Sequence, residues 1–151
     1  MSYFFIIPAY EPDARIVDLI RQLLENSQAR ICVVDDGSQN TLPFKDSIFQ
    51  NKRVSLLHHA INLGKGASLK TAFNYVLTHF PQIKSVVTLD ADGQHAISDA
   101  LKIAKKGQSS QALILGTRSF SLSGQKIPLK SRLGNIITRL VWRLIMGSKI
   151  T

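Results

Sequence analysis

The chain has few of the features that mark secreted, membrane-spanning or disulfide-bonded proteins. Its 151 residues include a single cysteine, Cys32, which excludes an internal disulfide and suits a reducing compartment. Cys32 lies in the apolar run Ile31–Val34, which favours a buried small hydrophobe over a nucleophile. No basic leader with a small-residue cleavage site opens the chain, and no apolar run approaches the ~20 residues that span a bilayer. We expect one domain, residues 1–151, in a soluble or peripheral protein.

Acidic residues are absent beyond Asp99, whereas lysine and arginine continue almost to the end of the chain. The formal net charge is +9, which suits anionic lipid, phosphorylated ligands or nucleic acid. Zinc-finger spacing, aromatic RNP-like strands and a helix-turn-helix pattern are all missing. We therefore expect phosphate or anionic lipid, and no nucleic acid, as the partner of the basic segment.

Strand-like and helix-like segments alternate along the chain. Buried apolar runs predict five strands, at 3–8, 30–35, 54–58, 84–89 and 111–116. Helical spacing predicts helices at 13–26 with Asp13 as N-cap, 43–50, 98–106 and 129–146. It also predicts a helix after the turn Asn62–Gly66, with one apolar side formed by Leu69, Ala72, Phe73, Val76, Leu77 and Phe80. This alternation predicts an α/β fold with a mostly parallel sheet flanked by helices on both faces.

Polar residues and glycines follow each predicted strand. They are Tyr10 and Glu11, then Asp35 and Asp36, then Asn62–Gly66, then Asp90 and Asp92, and finally Arg118. The carboxyl ends of parallel strands meet at one edge of the sheet, where α/β proteins bind their ligands. Five such ends carrying polar groups predict a nucleotide site at that edge.

Asp90 and Asp92 are the strongest single feature of the chain. Alternation along an extended backbone puts both carboxylates on the same side, and Gly93 permits a turn directly after them. Hard divalent ions take oxygen ligands, and Mg²⁺ typically uses one or two carboxylates plus substrate phosphates. The pair predicts a metal–diphosphate site for Mg²⁺ or Mn²⁺, and a turn with two solvated acids is the alternative.

Other polar features favour structural roles. The sequence around Gly64, Lys65 and Gly66 lacks both the P-loop and the dinucleotide spacing, so these glycines indicate a turn. For His58 and His59, solvated or capping roles are favoured over metal ligation, and His95 is expected to hydrogen-bond beside the acidic pair.

Five segments together resemble the family 2 glycosyltransferases of the Rossmann-like GT-A fold, above all the dolichyl-phosphate or polyprenyl-phosphate sugar transferase branch. In the order of the family they are Ile7–Tyr10, Val33–Ser38, Asn62–Ala67, Asp90–His95 and Gly116–Arg118. The resemblance covers nearly the whole chain.

The resemblance implies a role for each matching residue. It implies nucleotide-sugar contacts for Pro8, Ala9, Tyr10, Glu11, Asp35, Asp36, Lys65, Asp90, Ala91 and Asp92. It implies metal ligation by Asp90, Asp92 and Gln94, and catalytic roles for Asp92, Arg118 and Arg132. The two arginines would neutralise phosphate, which the guanidinium fork suits.

The implied reaction is metal-dependent inverting transfer of a sugar from a GDP- or UDP-linked donor to a polyprenyl or dolichyl phosphate. A phosphate nucleophile is ionised at neutral pH and needs no general base. A saccharide hydroxyl acceptor in cell-envelope glycan synthesis would need a carboxylate, and none follows Asp99. Another alternative is a catalytically incomplete fragment that binds nucleotide only.

A lipid acceptor implies a cytoplasmic protein held peripherally at the inner face of the cytoplasmic membrane. The predicted helix 129–146 carries a basic face that suits either peripheral contact with anionic lipid or simple packing on the core.

The chain departs from the family at several places. Glu11-Pro12 replaces the usual Asn-Glu, and Ala96-Ile97 replaces a proline-rich turn. The family continues beyond the point that matches Thr151, so we expect the chain to lack the C-terminal part of the domain.

Overall fold

The structure is a computed structural model that describes residues 3–109, 112–114 and 116. This part of the chain contains a four-stranded parallel sheet of order β3-β2-β1-β4. The strands are β1 (Tyr3–Ala9), β2 (Arg30–Asp35), β3 (Val54–His58) and β4 (Ser85–Thr88). The helices are α1 (Arg15–Asn26), α2 (Lys65–His79) and α3 (Ile97–Gln108). The α/β class with a parallel sheet is therefore confirmed.

Both faces of the sheet are buried. Alternate residues of a strand point to opposite faces, so Phe5 and Ile7 lie on one side of β1 while Phe4 and Ile6 lie on the other. The first side packs against buried residues of α1 and α3, including Ile16, Ile20, Leu23, Ala100 and Ala104. The second side packs with α2 through Ala72 and Val76, together with Cys32 and Val34 of β2. Helices thus cover both faces, as predicted.

The order of the strands creates a switch point beside β1. The chain first builds the sheet outward from β1 to β2 and β3, and α2 then carries it back to β4 on the opposite side of β1. The Leu89 amide donates to the Ile6 carbonyl at 2.9 Å, which extends the pairing beyond β4. The ends of β1 and β4 therefore lie side by side, and a crevice opens between them.

The predicted helix at 43–50 is wrong. The segment forms two short 3₁₀ turns, Leu42–Lys45 and Ser47–Gln50. Asp46 between them is extended, with φ −61° and ψ 141°, and its side chain accepts a hydrogen bond from the Ile48 amide at 2.9 Å. This local bond competes with a continuous helical ladder.

The predicted fifth strand at 111–116 is also not observed. Its described residues, 112–114 and 116, do not form a strand, and Leu113 is 87% exposed instead of buried in the sheet. Arg118, Arg132 and the predicted helix 129–146 lie outside the described residues. Among the helices that the structure describes, none combines the length and apolar character needed to cross a bilayer.

Candidate functional site

A cleft of about 310 Å³ opens at the switch point between β1 and β4. It is lined by Pro8, Ala9, Tyr10, Glu11, Pro12, Asp13, Arg15, Asp36, Lys65, Ser68, Asp90, Ala91 and Asp92. The structure thus brings together nine of the predicted nucleotide-contact residues. Asp35 and Gln94 are not among the lining residues.

The segment that follows β1 is tied to the loop that follows β2. Glu11 has φ +47°, the one positive φ outside glycine among the described residues. Its amide donates to Ser38 Oγ at 2.9 Å, and its carboxylate accepts from the Gln39 and Asn40 amides at 2.6 and 3.3 Å. Left-handed backbone costs a residue with a Cβ roughly 1–2 kcal/mol, which these three bonds offset. Glu11 therefore fixes one wall of the cleft.

Asp36 holds the glycine-rich loop that precedes α2. The residue is 3% exposed, and its carboxylate accepts hydrogen bonds from the Leu63 amide at 3.0 Å and the Gly64 amide at 2.7 Å. Burial raises the pKa of this carboxyl, but bonds from His59, Leu63, Gly64 and Ser68 outweigh it and leave the pKa below its ordinary value. The carboxylate is ionised and largely occupied by the protein itself.

Both histidines after β3 support the two aspartates after β2. The buried His59 ring places Nδ1 2.7 Å from Asp36 Oδ1 and Nε2 2.9 Å from Thr71 Oγ1. His58, half exposed, places Nδ1 3.0 Å from Asp35 Oδ2, while the Ser38 amide donates to Asp35 Oδ1 at 3.0 Å. His58 is thus partly solvated, whereas His59 is a buried residue that bridges Asp36 and Thr71 instead of the solvated or capping residue expected.

Asp90 and Asp92 follow β4 and face the cleft. Lys65 Nζ donates to Asp90 Oδ1 at 2.5 Å, and His95 Nε2 lies 3.5 Å from Asp90 Oδ2. The Lys65 ammonium holds the pKa of Asp90 below its ordinary value, against a smaller opposing effect of burial. Asp92 Oδ1 accepts from the Gln94 amide at 3.0 Å and closes the turn at Gly93, whose φ is +69°.

The donor set suits a divalent cation shared with a substrate. Asp90 and Asp92 offer carboxylate oxygens within one cleft, which matches the usual use of one or two carboxylates with phosphates and water. Within the described range, no group of three or more His, Cys, Asp or Glu residues is placed to hold a metal by itself. The remaining ligands would therefore come from the substrate and solvent.

Sequence reasoning missed Pro12, Asp13, Arg15 and Ser68 as lining residues. The prediction of Asp13 as N-cap is wrong, because Ala14 occupies the N-cap position of α1. Asp13 Oδ1 nevertheless accepts a hydrogen bond from the Arg15 amide at 2.9 Å. The same carboxylate holds the Arg15 guanidinium at 2.8 Å, and the charge of Asp92 also acts on Arg15. The sequence signal that could have indicated Arg15 is its position at the start of the helix that follows β1.

The family model for glycosyl transferase family 2 matches residues 4–148. An uncharacterised protein of Methanocaldococcus jannaschii is 29% identical over 150 residues, which are 98% of this chain and 60% of that protein. A UDP-N-acetylglucosamine–dolichyl-phosphate N-acetylglucosaminyltransferase of Methanococcus voltae is 27% identical, over 98% of this chain and 64% of that protein. A dolichyl-phosphate β-glucosyltransferase of Trichomonas vaginalis is 25% identical, over 82% and 41% respectively.

The chain therefore spans 60% and 64% of the length of the first two of these relatives. The family match covers nearly all of this chain, including the β1, β2 and β4 ends that form the cleft. On this match, the chain belongs to glycosyltransferase family 2.

Proposed function

We propose that this chain forms the donor-binding face of an enzyme that transfers a sugar from a UDP- or GDP-linked donor to a polyprenyl or dolichyl phosphate. The observation that carries the proposal is the cleft at the β1–β4 switch point, where Asp90, Asp92 and Lys65 meet. Two relatives named for transfer involving dolichyl phosphate support the acceptor class.

The residues that line the cleft offer contacts for both parts of a nucleotide. Pro8, Tyr10 and Glu11 lie after β1 and would border the base and ribose, with Tyr10 54% exposed and open to stacking. Lys65, at the N-terminus of α2, would bind the diphosphate, because both an ammonium and a helix N-terminus favour anions.

Asp90 and Asp92 would hold a divalent cation against the donor diphosphate. Bound there, Mg²⁺ or Mn²⁺ would stabilise negative charge on the departing nucleoside diphosphate. Arg118 and Arg132 lie outside the described residues, and only the resemblance to the family proposes them as phosphate-neutralising groups. Gln94 does not line the cleft, and its place in the Asp90–His95 motif is the reason for proposing it as a metal ligand.

Transfer to a phosphate requires little proton chemistry. An oxygen of the acceptor phosphate would form a bond to the anomeric carbon. The bond from that carbon to the donor phosphate would break, with the electron pair leaving on the nucleoside diphosphate and the anomeric configuration inverted. The nucleophile is already ionised, so no general base is needed. The acceptor places the enzyme peripherally at the inner face of the cytoplasmic membrane in this proposal.

The test is transfer of radiolabelled sugar from UDP- and GDP-linked donors to polyprenyl phosphate in vesicles, with Mn²⁺ present. We expect label in the organic phase, loss of transfer on addition of chelator, and at least about a hundredfold loss in Asp92→Asn, the scale of one electrostatic contact to the transition state. Asp99→Asn is the matched control, because Asp99 is an exposed carboxylate on α3 paired with Lys102. Label that passes only to a saccharide, or to no acceptor, would contradict the proposal.

A further inference from the structure

Lys65 occupies an electrostatically unfavourable place. It is the first residue of α2, and a cation at a helix N-terminus is opposed by the positive end of the helix dipole. Its ammonium donates to Asp90 Oδ1 at 2.5 Å, so the carboxylate provides the charge that offsets this repulsion. The position of Lys65 therefore depends on Asp90.

The ion pair is open to solvent on both sides. The side chain of Lys65 is 62% exposed and that of Asp90 is 46% exposed. Exposed pairs are weak, since water screens both charges and the long side chain loses freedom in the pair. A stronger ligand that enters the cleft can therefore separate them.

Hydrogen bonds hold the backbone beside Lys65, whereas the Lys65 side chain is mostly exposed to solvent. The Gly64 amide donates to Asp36 Oδ2 at 2.7 Å and to Asn62 Oδ1 at 3.0 Å, and the Gly64 carbonyl accepts from the Ala67 amide at 2.9 Å. Only rotation of the four-carbon stem is needed to move the ammonium away from Asp90.

Resting on the proposed function, we infer that Lys65 is an exchangeable counter-ion for Asp90. Without ligand, Lys65 neutralises Asp90 and competes with a divalent cation for the carboxylate. When the cation and a nucleoside diphosphate enter together, the ammonium moves from Asp90 to a phosphate oxygen of the nucleotide. Lys65 thus opposes binding of the cation alone and favours binding of the cation with nucleotide, so that the two ligands bind interdependently.

The inference predicts effects of opposite sign from one substitution. In Lys65→Met, Mn²⁺ should bind the nucleotide-free protein a few-fold more tightly, the scale of a lost exposed ion pair. In the presence of Mn²⁺, the same variant should bind UDP or GDP roughly tenfold more weakly, the scale of a lost hydrogen bond to a charged group. Electron paramagnetic resonance of free Mn²⁺ measures the first effect, and titration calorimetry measures the second.

Lys70→Met is the matched control, since Lys70 is an exposed lysine of the same helix that does not line the cleft. It should change neither affinity by more than the general effect of one lost charge. Lys65→Arg retains the charge and should keep Mn²⁺ binding weak. Circular dichroism melting of each variant verifies that the fold is intact.

Two results in Lys65→Met would overturn the exchange of Lys65 between Asp90 and phosphate: Mn²⁺ binding that is unchanged or weaker, and nucleotide affinity that is unchanged. Either result would leave the proposed function in place. A natural protein that binds neither Mn²⁺ nor UDP and GDP would instead overturn the proposed function together with the inference.

Discussion

Gly37 and Gly66, which follow the cleft-lining residues Asp36 and Lys65 in sequence, differ in the space available for a side chain. Gly37 has φ +74°, and a Cβ added there would lie 2.3 Å from the carbonyl carbon of Ile61. Gly66 lies in the first turn of α2, and a Cβ added there would meet nothing within 4 Å. The first glycine is required by the fold, whereas the space above the second is open to a ligand.

The two glycine-to-alanine variants should therefore behave differently. We expect Gly37→Ala to lower the free energy of unfolding by about 1–3 kcal/mol or more, from overpacking and backbone strain. Gly66→Ala should leave it unchanged or raise it by up to about 1 kcal/mol, the difference in helix propensity, while weakening nucleotide binding. Urea denaturation and titration calorimetry measure the two quantities. Full nucleotide affinity in Gly66→Ala would show that no phosphate approaches this glycine.

Asp36 should make stability depend on acid pH. Its pKa in the folded protein is below the ordinary value, because the bonds from His59, Leu63, Gly64 and Ser68 outweigh burial. A lowered folded pKa gives stabilisation that is present above about pH 4 and is lost as the pH falls further. Asp36→Asn should be less stable at pH 7 and lose less stability between pH 5 and about pH 2.5 than the natural protein.

Urea midpoints across that pH range measure the effect. The exposed Asp18 of α1, paired with Arg21, supplies the control Asp18→Asn, which should leave the pH profile nearly unchanged. Equal acid sensitivity in Asp36→Asn and the natural protein would assign the effect to other carboxylates.

At the scale of elements, Glu11 joins the segment after β1 to the loop after β2. Glu11→Ala removes the acceptors of the Gln39 and Asn40 amides. We expect these two amides to exchange with solvent at least about tenfold faster, equivalent to the loss of one net hydrogen bond, while amides inside β2 keep their protection. Hydrogen exchange followed by NMR measures both sets.

The exposed Glu25 of α1 offers the matched control Glu25→Ala. Unchanged exchange at residues 39 and 40 in Glu11→Ala would mean that the loop is held by other contacts. A uniform increase throughout β2 would instead indicate global destabilisation.

The sequence predicted elements best where burial dominates. The bounds of β2 and β3 agree with the prediction, because apolar runs between polar turns leave little ambiguity. Prediction failed at 43–50, where the Asp46 side chain competes for the backbone, and at 111–116, where an apolar run did not produce a strand in the described residues. The spacing of apolar residues does not indicate where a side chain competes for backbone hydrogen bonds.

In the candidate site as well, some features could be predicted from the sequence and others could not. Polar residues at strand ends indicated the cleft, because parallel topology alone brings those ends together. The bond between Asp36 and Gly64 joins positions 28 residues apart, and no local pattern indicates it. Sequence reasoning therefore found nine of the residues that line the cleft, but missed four others and did not show that Asp36 and Glu11 bind other loops of the protein.

At the scale of the whole molecule, Cys32 reports on the integrity of the core. It is fully buried in β2, and burial raises the pKa of its thiol to about 12. A buried, protonated thiol does not react with disulfide reagents. We expect labelling by such a reagent only through unfolding, with a rate that rises with urea in parallel with the loss of circular dichroism. Rapid labelling of the folded protein in water would contradict a closed core around β2.

Calorimetric titration with UDP and GDP tests the proposed metal–diphosphate site directly. The natural chain is compared, with Mn²⁺ or with chelator, with Asp90→Asn and Asp92→Asn. We expect that one nucleotide binds, that binding requires Mn²⁺, and that either substitution weakens it at least about tenfold, since each removes a charged ligand. Nucleotide binding of equal strength with chelator, or unchanged by both substitutions, would contradict a site in which Asp90 and Asp92 hold a cation against the diphosphate.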